Sequence, residues 1–262
     1  MTLITISSFV RCSFYPDEKT VSNDLVSTAE VFFAKTKDLS SGISSLRRYI
    51  NKDDQLKADR LHNSEDKKTN LICFTLLRMI LSKKLNKSPH DISYINGRNG
   101  KPGIKDNSLF FNISHTRDSF AIAISEHSYI GVDLEDLSKS LDFESIIKRV
   151  FSGKESEFIL KSSGKSRNRF FLLWTRKEAL LKAIGTGIIP HLSQIEVFRP
   201  VNLINRNSID DLADVSVSDQ HYIYSKKLYN YYLSVALPQK AKIVLSHLDE
   251  KVILIFNKHK KP

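Results

Sequence analysis

The chain has 262 residues, 41% of them hydrophobic and 26% charged, and 40 basic against 29 acidic side chains give it a formal net charge of +11. This composition is that of an ordinary globular protein, and it excludes a disordered chain and a fibrous repeat. A basic surface attracts anionic partners such as nucleic acid, an anionic membrane surface, a polyphosphate ligand or an acidic protein. Charge alone favours nucleic acid among these classes.

Neither the N-terminal sequence nor the cysteines indicate an extracellular protein. Residues 1–10 lack a basic segment followed by a sustained apolar stretch, which argues against a secretory signal, and no stretch approaches the length of a membrane span. Cys12 and Cys73 have no CxxC spacing, so both are expected to be reduced thiols in or near the core. The expected location is the cytoplasm.

The first hundred residues give a mixed pattern. Residues 3–6 alternate as an edge strand does, and residues 40–42 are expected to form a loop between two helical stretches. A helix capped by Ser64, with acids in its first turn, is predicted to end near Asn86. Three glycines and a proline within residues 96–103 predict a tight basic turn.

The rest of the chain passes from strands to helices and back to strands. Strands are predicted at 109–113, 120–125 and 129–134, as an antiparallel set joined by short turns. Helices are predicted at 143–151, 155–160 and 167–184, the last closed by Gly185. Further strands are predicted at 196–198, 222–224, 231–236 and 251–256, and residues 258–262 are expected to be a solvated basic tail.

Helices followed by strands therefore occur twice. This order predicts an α+β protein of two similar α/β halves related by pseudo-two-fold symmetry, each a small, mainly antiparallel sheet with packed helices. The boundary divides the chain into an N-terminal half, 1–127, and a C-terminal half, 128–262. No sequence repeat recurs at a fixed period, which excludes solenoids and propellers.

Two carboxylates share one face of a predicted strand. The two-residue period of a strand places Asp133 and Glu135 on one face and Val132 and Leu134 on the other. Two acids this close repel each other unless a cation lies between them, and carboxylate oxygens suit a hard ion such as Mg²⁺. The alternative is a strand end with both acids in water. Gly131 lets a neighbouring element or a ligand approach closely.

A second polar group follows one face of the last predicted helix. Thr175, Glu178 and Lys182 are three and four residues apart, so they lie on one side of it. Glu178 and Lys182 alone would suggest an exposed salt bridge worth roughly a few tenths of a kcal/mol. Because bulky apolar residues make this helix largely buried, its polar face indicates a function. Lys101 and His115, considered singly, are more typical of a solvated loop charge and a structural histidine.

Four motifs occur in order: GKP at 100–102, FNISH at 111–115, GVDLE at 131–135 and WTRKEALLK at 174–182. With them the sequence resembles the Sfp-type 4′-phosphopantetheinyl transferases, whose signature is G-[IV]-D-x-E followed several tens of residues later by W-x-x-K-E-[AS]-x-x-K. The similarity covers residues 57–187, about half of the chain, and includes KRVFS at 148–152.

The resemblance implies transfer of the 4′-phosphopantetheine group of coenzyme A to a serine of an apo carrier protein, with release of 3′,5′-ADP. Asp133, Glu135 and Glu178 would bind Mg²⁺, or Mn²⁺ in its place, together with the pyrophosphate. Lys182 would neutralise the phosphates and the departing 3′,5′-ADP. The implied catalytic residues are Glu178, Lys182 and Asp133, with Glu178 favoured as the base and Glu135 or a water molecule on the metal as alternatives.

The resemblance also implies the contacts to the rest of coenzyme A: Gly100, Lys101 and Pro102 at the adenine end, Ser114 and His115 at its phosphates, and Lys57 at the 3′-phosphate. A neighbouring basic position of the family is Asp54 here, and Arg60, Lys67 or Lys68 are candidates to compensate. The implied partner is an acidic carrier protein of fatty-acid, polyketide or peptide synthesis, which suits a basic enzyme. A monomer is expected.

Two other functions remain open from the sequence alone. Three carboxylates with Mg²⁺ also describe phosphodiesterases and nucleases, which use water in place of a serine. A basic nucleic-acid-binding protein ranks last, because the sequence has no helix-turn-helix, zinc-finger or RNP pattern.

Overall fold

A computed structural model describes residues 12–14, 27–42, 46–60, 62–105, 108–161, 163–199, 201–203 and 218–250. The α-helices in these ranges are α1 Lys52–Asp59, α2 Ser64–Leu85, α3 Glu144–Val150, α4 Gly153–Leu160 and α5 Ser163–Ile184. The strands are β1 Cys12–Phe14, β2 Ser27–Lys35, β3 Tyr94–Asn96, β4 Pro102–Ile104, β5 Phe110–His115, β6 Ser119–Ser125, β7 Gly131–Asp136, β8 Val201–Leu203, β9 Gln220–Leu228, β10 Tyr231–Leu237 and β11 Ala241–His247.

Two sheets form the centre of the protein. The first has the order β1-β11-β2-β6-β5 and the second β7-β10-β9-β8, while β3 and β4 form a small hairpin. Strands β11 and β2 run parallel, and the other pairings among the described residues are antiparallel. The expected α+β class with mainly antiparallel sheets is confirmed.

Alternating side chains place each sheet between two apolar cores. In β2, Val31 and Phe33 face the second sheet, where they share a core with Val132 and Leu134 of β7. Phe32, between them in sequence, packs instead in the core beneath α2. A third core lies beneath α5, on the other face of the second sheet. The layers are therefore α2, first sheet, second sheet and α5, with one 22-residue helix on each half.

Strand β11 connects the two halves of the chain. It belongs by sequence to the range predicted as the C-terminal half, yet it lies in the first sheet between β1 and β2. Neither β2 nor β11 was predicted. The backbone of β2 is covered on both faces, so its residues 31–34 are uniformly buried and show none of the alternation that marks a half-exposed strand. The half boundary between residues 127 and 128 stays a prediction.

Several predicted elements are confirmed and others are corrected. Helix α2 ends as predicted, with Asn86 in the left-handed conformation, but its cap is Asn63, whose side chain accepts hydrogen bonds from the backbone of Glu65 and Asp66, and not Ser64. The helical stretch expected before residue 40 is wrong, because β2 and a 3-10 turn occupy residues 27–42.

The strand predicted at 196–198 is also wrong, because side chains take the backbone groups that a neighbouring strand would use. The N–H of Val197 donates to Glu155 Oε1, and its carbonyl accepts a bond from Arg176. The Cys73 thiol is buried, which raises its pKa, as expected for an inert core cysteine. Residues 3–6, 251–256 and 258–262 lie outside the described residues. Among those described, no helix is both long and apolar enough to cross a membrane.

Candidate active site

Three predicted residues meet where the two halves touch. The Lys182 ammonium donates to Asp133 Oδ1 at 2.7 Å and to Ser114 Oγ at 3.0 Å, and Ser114 Oγ donates to the same Asp133 oxygen at 3.0 Å. Ser114 comes from β5, Asp133 from β7 and Lys182 from α5. The structure thus joins the FNISH, GVDLE and WTRKEALLK motifs into one cluster.

One edge of β7 has no neighbour among the described strands, and side chains of the first half complete it. The N–H of Val132 donates to Asn112 Oδ1 at 2.9 Å, and the N–H of Leu134 donates to Ser114 Oγ at 3.1 Å. A strand edge carries unpaired backbone groups that need partners. Asn112 and Ser114 supply these partners in place of a neighbouring strand, which fixes β7 against β5 beside Asp133.

Strand β7 presents its carboxylates to α5, as the strand period predicted. Glu135 Oε1 accepts a hydrogen bond from Trp174 Nε1 at 3.1 Å, and its other oxygen lies 3.6 Å from Lys139 Nζ. Glu178 lies between Trp174 and Lys182 on the same helix. Thr175, on the polar face predicted for this helix, is buried and bonds to Ser234 Oγ at 2.8 Å on the strand beside β7.

Mutual repulsion and burial perturb the acids. Burial, together with the charges of Asp133 and Glu135, raises the pKa of Glu178 to about 7 against the opposing effect of Lys182. Burial, followed by the charge of Asp133, also raises the pKa of Glu135. The charges of the three carboxylates therefore oppose one another across the β7–α5 interface.

The donor chemistry fits a hard divalent cation. Asp133 Oδ2 and Glu178 Oε1 are buried and accept no hydrogen bond from the described part of the chain. Buried carboxylate oxygens of this kind are costly unless a cation or donor compensates them. Within the described ranges, no three His, Cys, Asp or Glu side chains lie close enough together to form a complete set of metal ligands. The ammonium of Lys182 partly neutralises the charge of Asp133.

His115 lies beside the cluster, at the end of β5. Its Nε2 is 2.9 Å from Asn70 Nδ2 of α2. Burial chiefly lowers the pKa of His115, and the charge of Lys182 lowers it too. Asn70 Oδ1 is buried without a partner among the described residues. A neutral imidazole and an amide therefore border the Lys182 cluster on the side of the first half.

The turn predicted to bind adenine lies next to the end of α5, and the side chain of Lys101 points into the protein. Its ammonium donates to three backbone carbonyls: Ile130 at 3.0 Å, Lys182 at 2.5 Å and Ala183 at 3.1 Å. Burial lowers the pKa of Lys101 to about 8. Gly100 has a φ of 76°, which glycine adopts without strain, and Pro102 begins β4.

Asp54 is part of the core and does not line a phosphate pocket. Its carboxylate is fully buried, and its Oδ2 accepts a bond from Arg78 Nε at 2.9 Å. The acid found at this basic family position is thus neutralised internally. Lys67 and Lys68 border an open cavity of about 750 Å³ between α1 and α2. Lys57 lies in α1, and its side chain is outside the described part of the structure.

Sequence reasoning gave no role to Asn112, Asn70 or the indole of Trp174. Asn112 stands two residues before Ser114 in a strand, so the period of two was a signal that both point the same way. Trp174 precedes Glu178 by four residues, which is one helical turn. No sequence signal pairs Asn70 with His115, because that contact depends on how α2 packs against β5.

Gly131 determines how closely α5 approaches β7. A Cβ added there would lie 2.0 Å from the carbonyl oxygen of Ala179 and 2.4 Å from the amide nitrogen of Ala183. Both obstructing atoms are backbone, so the whole helix would have to move. The sequence expectation that a neighbouring element approaches at Gly131 is confirmed.

We therefore expect Gly131→Ala to destabilise the fold by about 1–3 kcal/mol through overpacking, and to displace Glu178 and Lys182 from Asp133. Thermal unfolding followed by circular dichroism and the catalytic rate measure the two effects. Gly153→Ala is the matched control, because its added Cβ meets nothing within 4 Å. Equal stability and activity of the two variants would contradict the assigned close approach.

Comparison with known proteins agrees with this geometry. Residues 129–235 match the 4′-phosphopantetheinyl transferase superfamily, and residues 37–127 match the N-terminal domain of 4′-phosphopantetheinyl transferase. The chain is 32% identical over 162 residues to 4′-phosphopantetheinyl transferase HetI of Nostoc, covering 60% of this chain and 68% of that protein.

Two further relatives give the same result. The chain is 30% identical over 151 residues to 4′-phosphopantetheinyl transferase Sfp of Bacillus subtilis, covering 57% of this chain and 66% of that protein. It is 34% identical over 142 residues to 4′-phosphopantetheinyl transferase gsp of Aneurinibacillus migulanus, covering 53% and 57% respectively. With both halves matched and the four motifs brought together in space, the chain belongs to the 4′-phosphopantetheinyl transferase family and is an enzyme of that class.

Proposed function

We propose that this protein transfers the 4′-phosphopantetheine group of coenzyme A to a serine of an acidic apo carrier protein. The observation that carries the proposal is the cluster of Lys182, Asp133 and Ser114, with Glu178 beside it, at the contact of the two halves. The Lys182 ammonium lies 2.7 Å from Asp133, and transfer of a phosphoryl group requires a fixed positive charge of this kind beside the reacting phosphate.

In the proposed reaction the serine hydroxyl oxygen attacks the β-phosphorus of coenzyme A. A new oxygen–phosphorus bond forms, the bond between that phosphorus and the bridging oxygen breaks, and 3′,5′-ADP leaves with the electron pair. Glu178 takes the hydroxyl proton, because it is the carboxylate of α5 beside Lys182 and Asp133. Lys182 stabilises the charge that develops on the phosphates and on the leaving group.

Asp133, Glu135 and Glu178 would hold Mg²⁺. When bound, the ion supplies positive charge to the pyrophosphate. The unpartnered oxygens Asp133 Oδ2 and Glu178 Oε1 support this assignment. Ser114 and His115 would contact the phosphates, and the turn that contains Gly100 and Pro102 would contact the adenine end.

The net charge of +11 supports an acidic partner, because complementary fields raise the association rate and orient the encounter. We propose that the protein acts as a monomer in the cytoplasm, on carriers of fatty-acid, polyketide or peptide synthesis.

The deciding experiment incubates the protein with coenzyme A and apo carrier proteins from each of the three pathways, with Mg²⁺ or with a chelator. Intact-mass spectrometry is expected to show one phosphopantetheine adduct on at least one carrier, lost when the chelator is present or when the acceptor serine is alanine. Cleavage of a phosphodiester without any adduct would support the phosphodiesterase alternative. Salt-dependent nucleic-acid binding unaffected by Glu178→Ala would support the binding-protein alternative.

A further inference from the structure

The basic turn of the first half holds the end of helix α5 in the second half. Asn99 Nδ2 donates to the carbonyl oxygens of Gly185 at 3.0 Å and Thr186 at 2.7 Å. Lys101 Nζ donates to those of Lys182 and Ala183 in the last turn of the same helix. Two side chains of this turn therefore bind four of the five backbone carbonyls of residues 182–186, in the second half.

The physical reason is the chemistry of a helix C-terminus. The last carbonyls of a helix have no partner within it and carry the negative end of the helix dipole, so an ammonium group there is stabilising. An ammonium group has three N–H bonds, and three carbonyls accept from Lys101. Its hydrogen-bonding capacity is filled by protein, which directs the side chain away from any nucleotide.

The third carbonyl makes this arrangement relevant to the reaction. It belongs to Ile130, directly before β7, the strand that carries Asp133 and Glu135. A second carbonyl belongs to Lys182 itself, whose ammonium binds Asp133. Lys101 thus bridges the start of β7 and the end of α5 at the level where both supply site residues.

We propose that Lys101, assisted by Asn99, is a positioning residue. It sets the distance between Lys182 and Asp133 by fixing α5 against β7, and it couples the turn at residues 97–102 to the transfer site. This inference rests on the proposed function, since that turn would receive the adenine end of coenzyme A.

Loss of the Lys101 contacts should lower the turnover rate but leave the affinity for coenzyme A nearly unchanged. Lys101→Met keeps the aliphatic stem but removes the three donors, so α5 can shift while the turn backbone stays in place. A misplacement of about 1 Å at a reacting centre can lower the rate by about 100-fold. We expect Lys101→Met to lower kcat by about 10- to 100-fold, with the KM for coenzyme A changed by less than about threefold. Lys101→Arg, which keeps a cation and donors, should recover part of the loss.

The fluorescence of Trp174 provides a structural measurement that is independent of the catalytic rate. Trp174 is the only tryptophan of the chain, it lies on α5, and its Nε1 donates to Glu135 of β7. Its fluorescence therefore reports on the contact between these two elements. In Lys101→Met the emission should shift to longer wavelength. Lys105→Met, an exposed lysine four residues along, is the matched control and should resemble the unaltered protein in rate and emission.

The experiment measures kcat and KM for holo-carrier formation, normalised to the folded fraction, together with Trp174 emission. The combination of a kcat loss, a Trp174 shift and partial recovery in Lys101→Arg supports the positioning role, and any other pattern overturns it. If Lys101→Met does not fold, Asn99→Ala replaces it, with a smaller kcat loss and an emission shift in the same direction. An unaltered protein that forms no adduct contradicts the proposed function, whereas an active one whose Lys101→Met variant keeps its kcat contradicts only the positioning role.

Discussion

Replacing Glu178 by glutamine is expected to lower the rate of holo-carrier formation by about 100- to 1,000-fold while the protein stays folded. A correctly placed acid–base group contributes about that much to a rate, and glutamine neither accepts the serine proton nor balances a cation. Folding should survive, because glutamine has the same shape and its amide removes a carboxylate that Asp133 and Glu135 repel. Initial rates by intact-mass spectrometry measure the loss.

The same substitution should change how stability depends on pH without divalent metal. Burial raises the pKa of Glu178 from 4.5 to about 7, so between these values the folded protein holds a proton that the unfolded chain has released. The free energy of unfolding of the unaltered protein therefore falls as pH rises from about 4.5 to 7. Glu178→Gln should remove this part of the slope.

Glu144→Gln is the control for both measurements, because Glu144 is an exposed acid at the start of α3. Its rate and its pH dependence should match those of the unaltered protein. A Glu178→Gln variant that keeps full activity would remove Glu178 from the reaction, and one that unfolds would give the residue a structural role.

Arg78→Met is expected to cost about 3–5 kcal/mol of folding stability, the usual result of leaving one partner of a buried ion pair alone. The guanidinium lies 2.8 Å from Asp54, donates to the carbonyls of Pro89 and Ile92, and stacks 5.1 Å from the ring of Tyr94. Its loss would leave the fully buried Asp54 carboxylate uncompensated. Denaturant unfolding measures the change.

The double variant Asp54→Leu with Arg78→Met tests the same pair from the other side. It should recover much of the stability lost in Arg78→Met, since no lone buried charge remains. Arg117→Met is the control, because the bridge between Arg117 and Glu65 is largely exposed and such bridges contribute about 0–1 kcal/mol. A loss in Arg78→Met no larger than that of the control would contradict the buried-pair assignment.

The sequence was most informative where local periodicity places side chains. The strand period put Asp133 and Glu135 on one face, and the helix period put Glu178 and Lys182 together, because both patterns depend on backbone geometry alone. Strand β11 also alternates, with Ala241, Ile243 and Leu245 buried, but its parallel pairing with β2 depends on residues far away in sequence.

Contacts between the halves were beyond sequence reasoning. The sequence around Lys101 is typical of an exposed loop lysine. Only the packing of the two halves brings its ammonium group to the end of α5. Asn112 is a similar case, because it binds the backbone of β7. Asp54 pairs with Arg78 within the first half, but that contact also depends on how two helices pack. Side-chain partners in three dimensions, and not residue types, decide these roles.

The position of β11 also constrains how the protein is made. Strand β2 sits between β6 and β11 in the first sheet, and the side chain of Ser27 at its start binds the carbonyl of Lys240, 213 residues later. During synthesis on the ribosome, one edge of β2 stays unpaired until β11 has been synthesised. Non-local pairing of this kind slows folding and exposes strand edges to other chains. A chain that ends at residue 240 lacks β11, so a smaller fraction of it should be soluble after expression than of the full chain, although the four motifs all precede that point.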